Sequence, residues 1–599
     1  MAAKKSPDDS LQLVVSFEIK VGGKPLPKNL VVMKVSVKSE VNKVARAYLS
    51  IIGGKSYENL FPESELASFA PGKDVEISFG YAEKNVKVFS GIITKHSLDI
   101  GMGYLSSTSK SLLLLEAADK AIKMTVGKKS ELYEKKKDSD IMTTLLSSAG
   151  LTKKVTATTI QHDFLSRHNC SDWEFLLNRA KANGMLVFNS CGAVTVESPK
   201  ASGTAKTNLT YGKDVQSFKA DLDASAQLQQ VESLNYDIYN EKEVKQTGKD
   251  PKFDKPGNIS GSTLGKVVAA SKVNLNVPVP VLTQELKALA DASLVMNRLR
   301  RLCGEMSFRG TTDVVLGSHI QLDGFGKLFN GIVYVTGVEH RLENGQFLTK
   351  ISFGLRADLF QASATPQLHL PPPISGLHVG IVKKLDADPG KKNRIQVMIP
   401  AIKSTGNGIW AMLGHFHAGK NSGSFFVPEL NSEVIVGFIN DDPRFPVVLG
   451  SLYSKNNTTK EKFTKDNYIK SIETKGGIRL EFEDKDKTFK VITPKKNTIF
   501  ISDKAKGVKI EDQNKNVITT SDKGISLESK KDIKVTASGK LELKGTKGIV
   551  LSSSSGDTKI DGKNVNVKGK AKVEVNGSAG ATVKSSASIT LKGSMVNVN

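Results

Sequence analysis

The sequence predicts a mainly β chain with a few helices, divided into several domains. Its 599 residues exceed what a single hydrophobic core usually organises. Runs with alternating apolar and polar residues recur along the first 450 residues, which is typical of half-buried strands. The last 100 residues repeat a short strand pattern without any aromatic residue after Phe500.

The charge balance is strongly basic, and it raises the question of a nucleic-acid partner. Lysine and arginine number 85 against 61 aspartates and glutamates, which gives a net charge of +24. Binding to single strands would need aromatic residues among the basic ones, and the basic C-terminal segment has none. We therefore expect no nucleic-acid partner, and the lysines are interpreted as solvated charge on strand faces and turns.

Three cysteines and the apolar runs exclude several other classes. Cys170, Cys191 and Cys303 lie far apart, so neither a disulfide framework nor a zinc ribbon is expected. The richest apolar run, Leu112–Leu115, is too short for a membrane helix. Residues 1–10 are polar, predict a flexible N-terminus and contain no signal peptide. Synthesis and assembly in the cytoplasm are therefore expected.

Residues 11–370 are predicted to mix strands with helices. Alternation predicts strands in Val14–Val21, Val31–Val37, Val75–Phe79, Val86–Ile93, Asp313–Leu322, Gly331–Glu339 and Phe347–Phe353. Ser171 and Glu174 form a capping box, which predicts a helix that ends near Gly184. A second helix is predicted over Gln284–Cys303, from apolar residues at mostly helical spacing.

Residues 374–453 are predicted to form a small β-barrel after the stiff boundary Pro371–Pro373. Six short β-rich runs separated by glycine, proline, asparagine and aspartate predict its strands: Val379–Val382, Arg394–Ile399, Gly408–Leu413, Gly423–Val427, Glu433–Ile439 and Val447–Leu449. Residues 454–498 are predicted to be a connector. Asp441 and Asp442 could be paired acids, but Asp-Asp-Pro between two strands favours a turn.

Residues 499–599 repeat pairs of apolar residues two positions apart, and from Ile525 to Ile549 the pairs start every eight residues. Each pair predicts a short strand followed by a turn rich in glycine, lysine, aspartate and asparagine. One such strand buries too little to be stable alone. Three chains could close the repeat together, each strand pairing with strands of sister chains. The repeat therefore predicts a homotrimeric β-prism with its apolar pairs along the axis.

Three segments resemble VgrG spike proteins. Ser166–Val187, which reads SRHNCSDWEFLLNRAKANGMLV, resembles a segment of that family. The barrel resembles the family's OB-type domain, and the eight-residue repeat resembles the needle of VgrG and of the cell-puncturing protein of contractile phage tails. The OB-type resemblance rests on Trp410, Gly423, Phe425, Pro428, Glu433, Val434, Val436, Phe438, Asp442, Pro443, Pro446, Val447 and Gly450–Tyr453.

The resemblance implies a phage-hub-like region with β-barrel domains over 11–370, an OB-fold barrel, and a trimeric triple-stranded β-helix. It also implies the central spike of a contractile injection machine, with two similar barrels in each hub subunit. The inner tube protein and baseplate proteins would bind the hub. Contraction would eject the spike out of the cell and through a target membrane, carrying effectors.

The last strand is expected to bind a partner at the tip of the spike. The resemblance implies a separate PAAR-type protein there, and the expected contact residues are Ser594, Met595, Val596, Asn597, Val598 and Asn599. No histidine follows His417 and no cysteine follows Cys303. We therefore expect the partner to supply any metal at the tip.

Candidate chemical groups are few, and no cofactor or bound metal is expected. His415 and His417 would share one face of a strand, but no third ligand is near them in sequence. Cys170 beside His168 and Asp172 suggests a catalytic nucleophile, yet a helix cap explains the same residues better. The expectation is therefore a structural protein and no enzyme. The alternatives left open are a hub with undetected hydrolase activity and a trimeric tail fibre or adhesin.

Overall fold

The structure is a computed structural model of one chain. It describes residues 14–55, 58, 60–100, 111–225, 227–253, 256–267, 272–356, 371–402 and 408–598. The predicted flexible segment 1–10 lies outside these residues. The chain divides into two compact units, Met1–Thr459 and Lys460–Asn599. Strands are the main regular structure in both units, which confirms the predicted mainly β fold class. In the described part of the chain, no helix is long and apolar enough to cross a membrane.

The first unit is built on one 13-stranded sheet. Along its main path the order is β14-β18-β21-β20-β3-β4-β7-β6-β5-β1-β2, and β19 joins β13 to β20. Its strands are β1 Val15–Val21, β2 Lys24–Pro25, β3 Val31–Glu40, β4 Arg46–Ile52, β5 Asp74–Tyr81, β6 Lys84–Asp99, β7 Leu112–Ala118, β13 Asn208–Thr210, β14 Val215–Leu222, β18 Leu302–Arg309, β19 His319–Asp323, β20 Gly331–Glu343 and β21 Gln346–Phe353.

This sheet carries two apolar cores, and β20 joins them. One core gathers side chains of β1 and β3–β7, including Val35 and Phe79, with Leu342 and Phe347 from β20 and β21. The other gathers β13 and β18–β21. The first half of β20 pairs with β19, and its second half pairs with both β21 and β3. The two expected barrels are therefore not closed separately, because the long strand β20 belongs to both halves of the sheet.

A smaller region between these halves contains two packed helices. It comprises β8 Lys129–Lys137, α1 Asp138–Ser148, β9 Thr152–Val155, β10 Gln161–Cys170, α2 Asp172–Ala182, β11 Leu186–Ser190 and β12 Ala193–Glu197. The capping box before α2 is confirmed: the amide of Glu174 donates to Ser171 Oγ and the Ser171 amide donates to Glu174 Oε2. Gly184 follows α2 with a φ of +66°. Helix α1 was not predicted.

A third region adds β15 Gln230–Asp237, β16 Lys242–Thr247, α3 Gly261–Val267, β17 Lys272–Asn276 and α4 Thr283–Leu299. Helix α4 corresponds to the predicted helix Gln284–Cys303, but it ends four residues earlier. Cys303 belongs to β18, which pairs with β14 and β21 on the large sheet. These ladders compete with the helix for the same backbone groups, and the ladders prevail.

Residues 378–452 form the predicted barrel, closed in the order β22-β23-β24-β28-β27. Its strands are β22 His378–Lys384, β23 Ile395–Met398, β24 Ile409–Leu413, β27 Glu433–Phe438 and β28 Pro446–Leu452, with a hairpin of β25 Ala418–Gly419 and β26 Ser422–Gly423 between β24 and β27. The strand predicted over Gly423–Val427 is wrong beyond Gly423. Phe425 and Phe426 lie outside any strand and are exposed.

The second unit is a seven-stranded antiparallel meander in sequence order. Its strands are β29 Ile469–Glu473, β30 Arg479–Glu483, β31 Thr488–Ile492, β32 Thr498–Ser502, β33 Gly507–Glu511, β34 Val517–Ser521 and β35 Gly524–Glu528. The predicted connector 454–498 therefore contains three strands. The expectation that every strand of 499–599 pairs with sister chains is wrong up to Glu528, since these strands pair within the chain.

Turn geometry explains this intrachain pairing. Between β30 and β34, turns of four and five residues reverse the chain, and each contains a lysine with a positive φ: Lys487, Lys496, Lys506 and Lys515. Asparagine and glycine are the usual residues in that conformation, so the sequence pattern gave little sign of these reversals. Between 529 and 598 the described chain contains no strand.

Candidate functional site

A buried arginine ties the barrel to the N-terminal region. Arg444 lies between β27 and β28, and its Nη1 donates to Glu285 Oε1 on α4 at 2.7 Å. Its Nη2 donates to Asp442 Oδ2 at 2.8 Å. Burial alone would lower the pKa of Arg444, but Asp442 and Glu285 raise it above its ordinary value. The guanidinium is therefore charged and fully engaged.

Sequence reasoning predicted only a turn at Asp441–Asp442–Pro443. The turn is present as a short 3-10 segment over Ile439–Asp441, but Asp442 is buried and accepts from Arg444. The sequence feature that was overlooked is Arg444, which follows the turn residue Asp442 by two positions. Its second partner, Glu285, is in the first turn of a helix 159 residues away, which no local pattern reveals.

Apolar contacts surround this ion pair. Ile439 and Phe445 of the barrel pack on a cluster formed by the segment before α4 and its first turns, which includes Val281 and Leu286. At a second place, Leu132 of β8 and Phe164 of β10 pack against the core of the barrel. The barrel therefore contacts both the region that contains α1 and α2 and the region around α4.

A third contact involves the loop between β22 and β23. Lys392 Nζ lies 3.7 Å from the centre of the Tyr239 ring, at the turn between β15 and β16. The loop is held in shape by Arg394, which donates to Asp388 at 2.7 and 3.1 Å. These bonds keep the pKa of Asp388 well below its usual range. Three separate contacts therefore join the barrel to the N-terminal region.

Buried charges also fix the two helices α1 and α2. Arg179 Nε donates to Asp138 Oδ1 at 2.9 Å, and Asn183 Nδ2 donates to Asp138 Oδ2 at 2.8 Å. His162 Nε2 lies 3.3 Å from the same carboxylate. Burial would raise the pKa of Asp138, but Arg179 and His162 hold it well below its usual value. This cluster explains why Arg179 can be fully buried.

The nucleophile candidates are not assembled for catalysis. Burial raises the pKa of the Cys170 thiol to about 11, so the thiol is protonated at neutral pH. Asp172 pairs with Arg167 and with Lys129, and so its carboxylate does not orient His168. Arg167 Nε donates to the Cys170 carbonyl. These residues serve the cap of α2.

The histidine pair lies after β24, at the base of the β25–β26 hairpin. His415 is half-buried and His417 is exposed, and neither is in a strand. The expected sharing of a strand face is therefore absent. Across the described residues, no group of three or more histidine, cysteine, aspartate or glutamate side chains could hold a metal ion.

A cavity of about 480 Å³ lies beside α4 and β20. Arg298 and Arg301 line it, but both guanidiniums are occupied. Arg298 binds Asp250 and the Leu228 carbonyl, and Arg301 binds the carbonyls of Ile259 and Pro256. The cavity therefore offers little unsatisfied charge to a ligand.

The C-terminal meander is apolar on one face. Its cross-strand registers place seven apolar residues in one row, one from each strand: Ile472, Leu480, Val491, Ile499, Ile510, Ile518 and Leu527. A second row two positions away contains Lys470, Phe482, Phe489, Ile501, Val508, Thr520 and Ile525. In the described chain the buried apolar residues end at Val448, so no described residue buries this face.

The opposite face of the meander is polar. Its central row contains Ser471, Glu481, Lys490, Phe500, Lys509, Thr519 and Ser526. Near one end, Arg479 binds Glu461, Glu473 and Glu481. The sheet is therefore amphipathic: its polar face suits contact with water, and its apolar face requires burial against another surface.

Residues 529–598 keep the eight-residue repeat, and their apolar pairs are exposed. Ile533, Val535, Leu541 and Leu543 are all more than half exposed in the single chain. Of the predicted tip residues, Met595, Val596 and Val598 are exposed as well, and so are Ser594 and Asn597. Asn599 lies outside the described residues.

Two family profiles match the chain. The Alg8 N-terminal domain matches residues 11–344, and the type VI secretion system/phage-baseplate injector OB domain matches residues 378–453. The second match coincides with the closed barrel. The first covers more than half of the chain and includes every strand of the large sheet except β21.

Individual proteins are also similar to this chain. The type VI secretion system spike proteins VgrG1a and VgrG1b of Pseudomonas aeruginosa are each 32% identical over 78 residues, 12% of this chain. The match spans only 12% and 10% of their own lengths. The structure of a Francisella PdpA–VgrG complex has a similar fold, with a TM-score of 0.51 at 10% identity over 86% of this chain and 88% of that one.

The second match agrees with the closed barrel. Between them, the two profiles cover the large sheet except β21, the helical regions and the barrel. The chain therefore belongs to the family of the Alg8 N-terminal domain, and its barrel is similar to the type VI secretion system/phage-baseplate injector OB domain.

Proposed function

We propose that three copies of this chain form the central spike of a contractile injection machine. The observation that carries this proposal is the row of seven apolar residues on one face of the C-terminal sheet. Such a face is unstable in water and needs a partner surface of equal length. Three identical sheets that turn these faces inward would bury each other and leave the polar faces outside.

The eight-residue repeat after Glu528 also supports an assembly of three copies. Residues 529–598 form no strand with any part of the chain that the structure describes, yet they keep two apolar residues in most repeats. Strands contributed in turn by three chains would satisfy both the backbone groups and the apolar pairs. The shaft would then change from three packed sheets to an interwound β-helix near residue 529.

The proposed work of the spike is mechanical and involves no catalysis. The hub would bind the inner tube and the baseplate, and the shaft would transmit the force of contraction to the target membrane and deliver effectors. The rigid contacts around Arg444 support this role, because a force along the chain must pass from the hub to the barrel without bending that junction. The protonated Cys170 thiol supports the absence of a nucleophile.

Two neighbouring residues of β34 test the trimer. Ile518 points to the apolar face and Thr519 to the polar face. Ile518→Asp should convert the full-length chain from trimer to monomer, because three carboxylates would meet in an apolar interior. Thr519→Asp is the matched control and should stay trimeric. Light scattering measures the mass, and a native chain that is folded and monomeric would contradict the proposal.

The proposed tip partner is a PAAR-type protein that docks on Ser594–Asn599. The exposed Met595, Val596 and Val598 side chains support this surface. Deleting Ser594–Asn599 should weaken binding of a purified PAAR-type protein at least tenfold, as titration calorimetry would show. Lys592→Ser is the control and should bind normally. Equal binding by the truncated spike would place the docking site elsewhere.

A further inference from the structure

A cavity of about 410 Å³, which we call the donor cavity, lies where the large sheet meets helix α2. Its walls come from β3, β4, residues 42–44 between them, the 3-10 segment Lys120–Thr125 and the first turn of α2. Val44, Ile122 and Trp173 give the donor cavity an apolar part. The other side chains that line it are polar or charged, so its lining suits a ligand with both characters.

Two buried hydrogen-bond donors line the donor cavity without an acceptor. The Asn42 side chain is 5% exposed, and its Oδ1 accepts from the Val187 amide at 3.0 Å. Among the described residues, Asn42 Nδ2 has no hydrogen-bond partner. Trp173 is 6% exposed, and no described residue accepts from its indole N–H. Buried donors are costly when they lack an acceptor, and a ligand with acceptor oxygens would remove that cost.

Cationic side chains outnumber carboxylates around the donor cavity. Lys38, Lys43 and Arg46 line it together with one carboxylate, that of Glu40. Both lysines share this carboxylate, and each Nζ atom lies 3.3 Å from Glu40 Oε2. Arg46 has a looser pair with Glu116, at 3.8 Å. The lining therefore has an excess of positive charge and of donors, which favours an anionic ligand.

We propose that the donor cavity binds a carboxylate of an acidic peptide segment that another protein presents. A carboxylate only accepts hydrogen bonds and has sites for several of them, so Asn42 and Trp173 could both donate to it. The lysines would compensate its charge. The apolar part would contact an apolar neighbour in the peptide, which a free anion lacks. This inference goes beyond the proposed function and does not depend on the proposed trimer.

Fluorescence of Trp173 tests the proposal in the full-length chain. The chain has two tryptophans, Trp173 and Trp410, so Trp410→Phe leaves Trp173 as the only one. The probe is acetyl-Glu-Leu-Glu-amide, and acetyl-Gln-Leu-Gln-amide is its neutral counterpart. The acidic peptide should change the emission of Trp173 in a saturable manner, and the neutral peptide should not. Sodium acetate and sodium phosphate should bind at least tenfold more weakly, and equally tight binding of either would overturn the assignment to a peptide.

Variants in the same background identify the site. Asn42→Asp keeps Oδ1 for the Val187 amide and replaces the unpaired donor by a carboxylate oxygen. Aspartate also tolerates the φ of +65° at this position. This variant should bind the acidic peptide at least tenfold more weakly, because an acceptor and a negative charge would face the ligand carboxylate.

Lys43→Gln should weaken peptide binding by about threefold, since Lys43 is a half-exposed cation. Lys87→Gln is the matched control. Lys87 is similarly exposed and pairs with Glu76 on the same sheet, but it does not line the donor cavity. It should bind normally. Equal affinity of the two lysine variants, or no response of Trp173 to the acidic peptide, would overturn the inference and leave the proposed spike unaffected.

Discussion

Arg444 of the barrel and Glu285 of helix α4 are 159 residues apart in sequence and 2.7 Å apart in the structure. The pair is buried, and Asp442 accepts from the same guanidinium. A buried ion pair adds little net stability but is costly to break on one side only. The orientation of the barrel on the N-terminal region is therefore fixed by charge as well as by apolar packing.

Arg444→Met is expected to destabilise the first unit by about 3–5 kcal/mol, because Glu285 and Asp442 would be buried without a cation. Urea unfolding followed by circular dichroism measures the change. The triple variant Arg444→Met, Glu285→Gln and Asp442→Asn should recover part of the loss. If Arg444→Met alone unfolds like the native chain, the ion pair does not fix the barrel.

Ile533→Asp is expected to disturb assembly of the repeat after Glu528. The side chain is exposed in the single chain, and the proposed trimer would bury it on the axis. A neighbouring lysine, Lys534, would stay outside, so Lys534→Asp is the control. Resistance of the shaft to limited proteolysis should drop for Ile533→Asp and persist for Lys534→Asp. Equal resistance of both variants would contradict interwound chains in this segment.

His340 should make the stability of the first unit depend on pH. It is buried beside Phe79 and Phe347, and burial lowers its pKa from 6.5 to about 4. Between these two values the unfolded chain binds a proton that the native chain does not. The free energy of unfolding should therefore fall as pH falls from 6.5 to 4, by up to ~3 kcal/mol.

Urea midpoints measured across this pH range test the effect. His340→Asn removes the titrating group and should flatten the dependence, although it also lowers stability at neutral pH. His417→Asn, at an exposed histidine, should retain the native slope. An unchanged slope in His340→Asn would assign the dependence to other groups.

Ser171→Ala is expected to cost about 1 kcal/mol, because the first turn of α2 loses its side-chain acceptor for the Glu174 amide. Ser148→Ala, near the end of α1, is a suitable comparison, since its hydroxyl only donates to the Thr144 carbonyl. Thermal unfolding should show a lower midpoint for the first variant than for the second. Equal midpoints would mean that tertiary packing alone fixes the start of α2.

Local signals in the sequence predicted the parts of the fold that local forces determine. The capping box at Ser171 and the glycine after α2 rest on contacts within a few residues, and most barrel strands were predicted from their own composition and bounding turn residues. The Arg444–Glu285 pair and the sharing of β20 between two cores depend on residues far apart in sequence. No periodicity or spacing reveals such contacts.

The C-terminal region shows how a correct pattern can mislead about pairing. The apolar pairs at Ile499/Ile501 and Ile533/Val535 look alike, so one interchain arrangement was expected for both. Turns such as 503–506 and 512–516 reverse the first part within one chain, and they do so with lysines at positive φ. The sequence pattern identifies the apolar face of each strand. The turns determine whether the neighbouring strand comes from the same chain or from another copy.

The shared strand β20 also sets an order of events during synthesis. Strand β3 is complete by residue 40, yet its second neighbour in the sheet, β20, is made only at residues 331–343. The core of β1–β7 likewise waits for Leu342 and Phe347. Because domains fold as they leave the ribosome, about 300 residues must emerge before this half can close. The nascent chain would keep an open sheet edge for that time, and chaperone binding to that edge is the expected consequence.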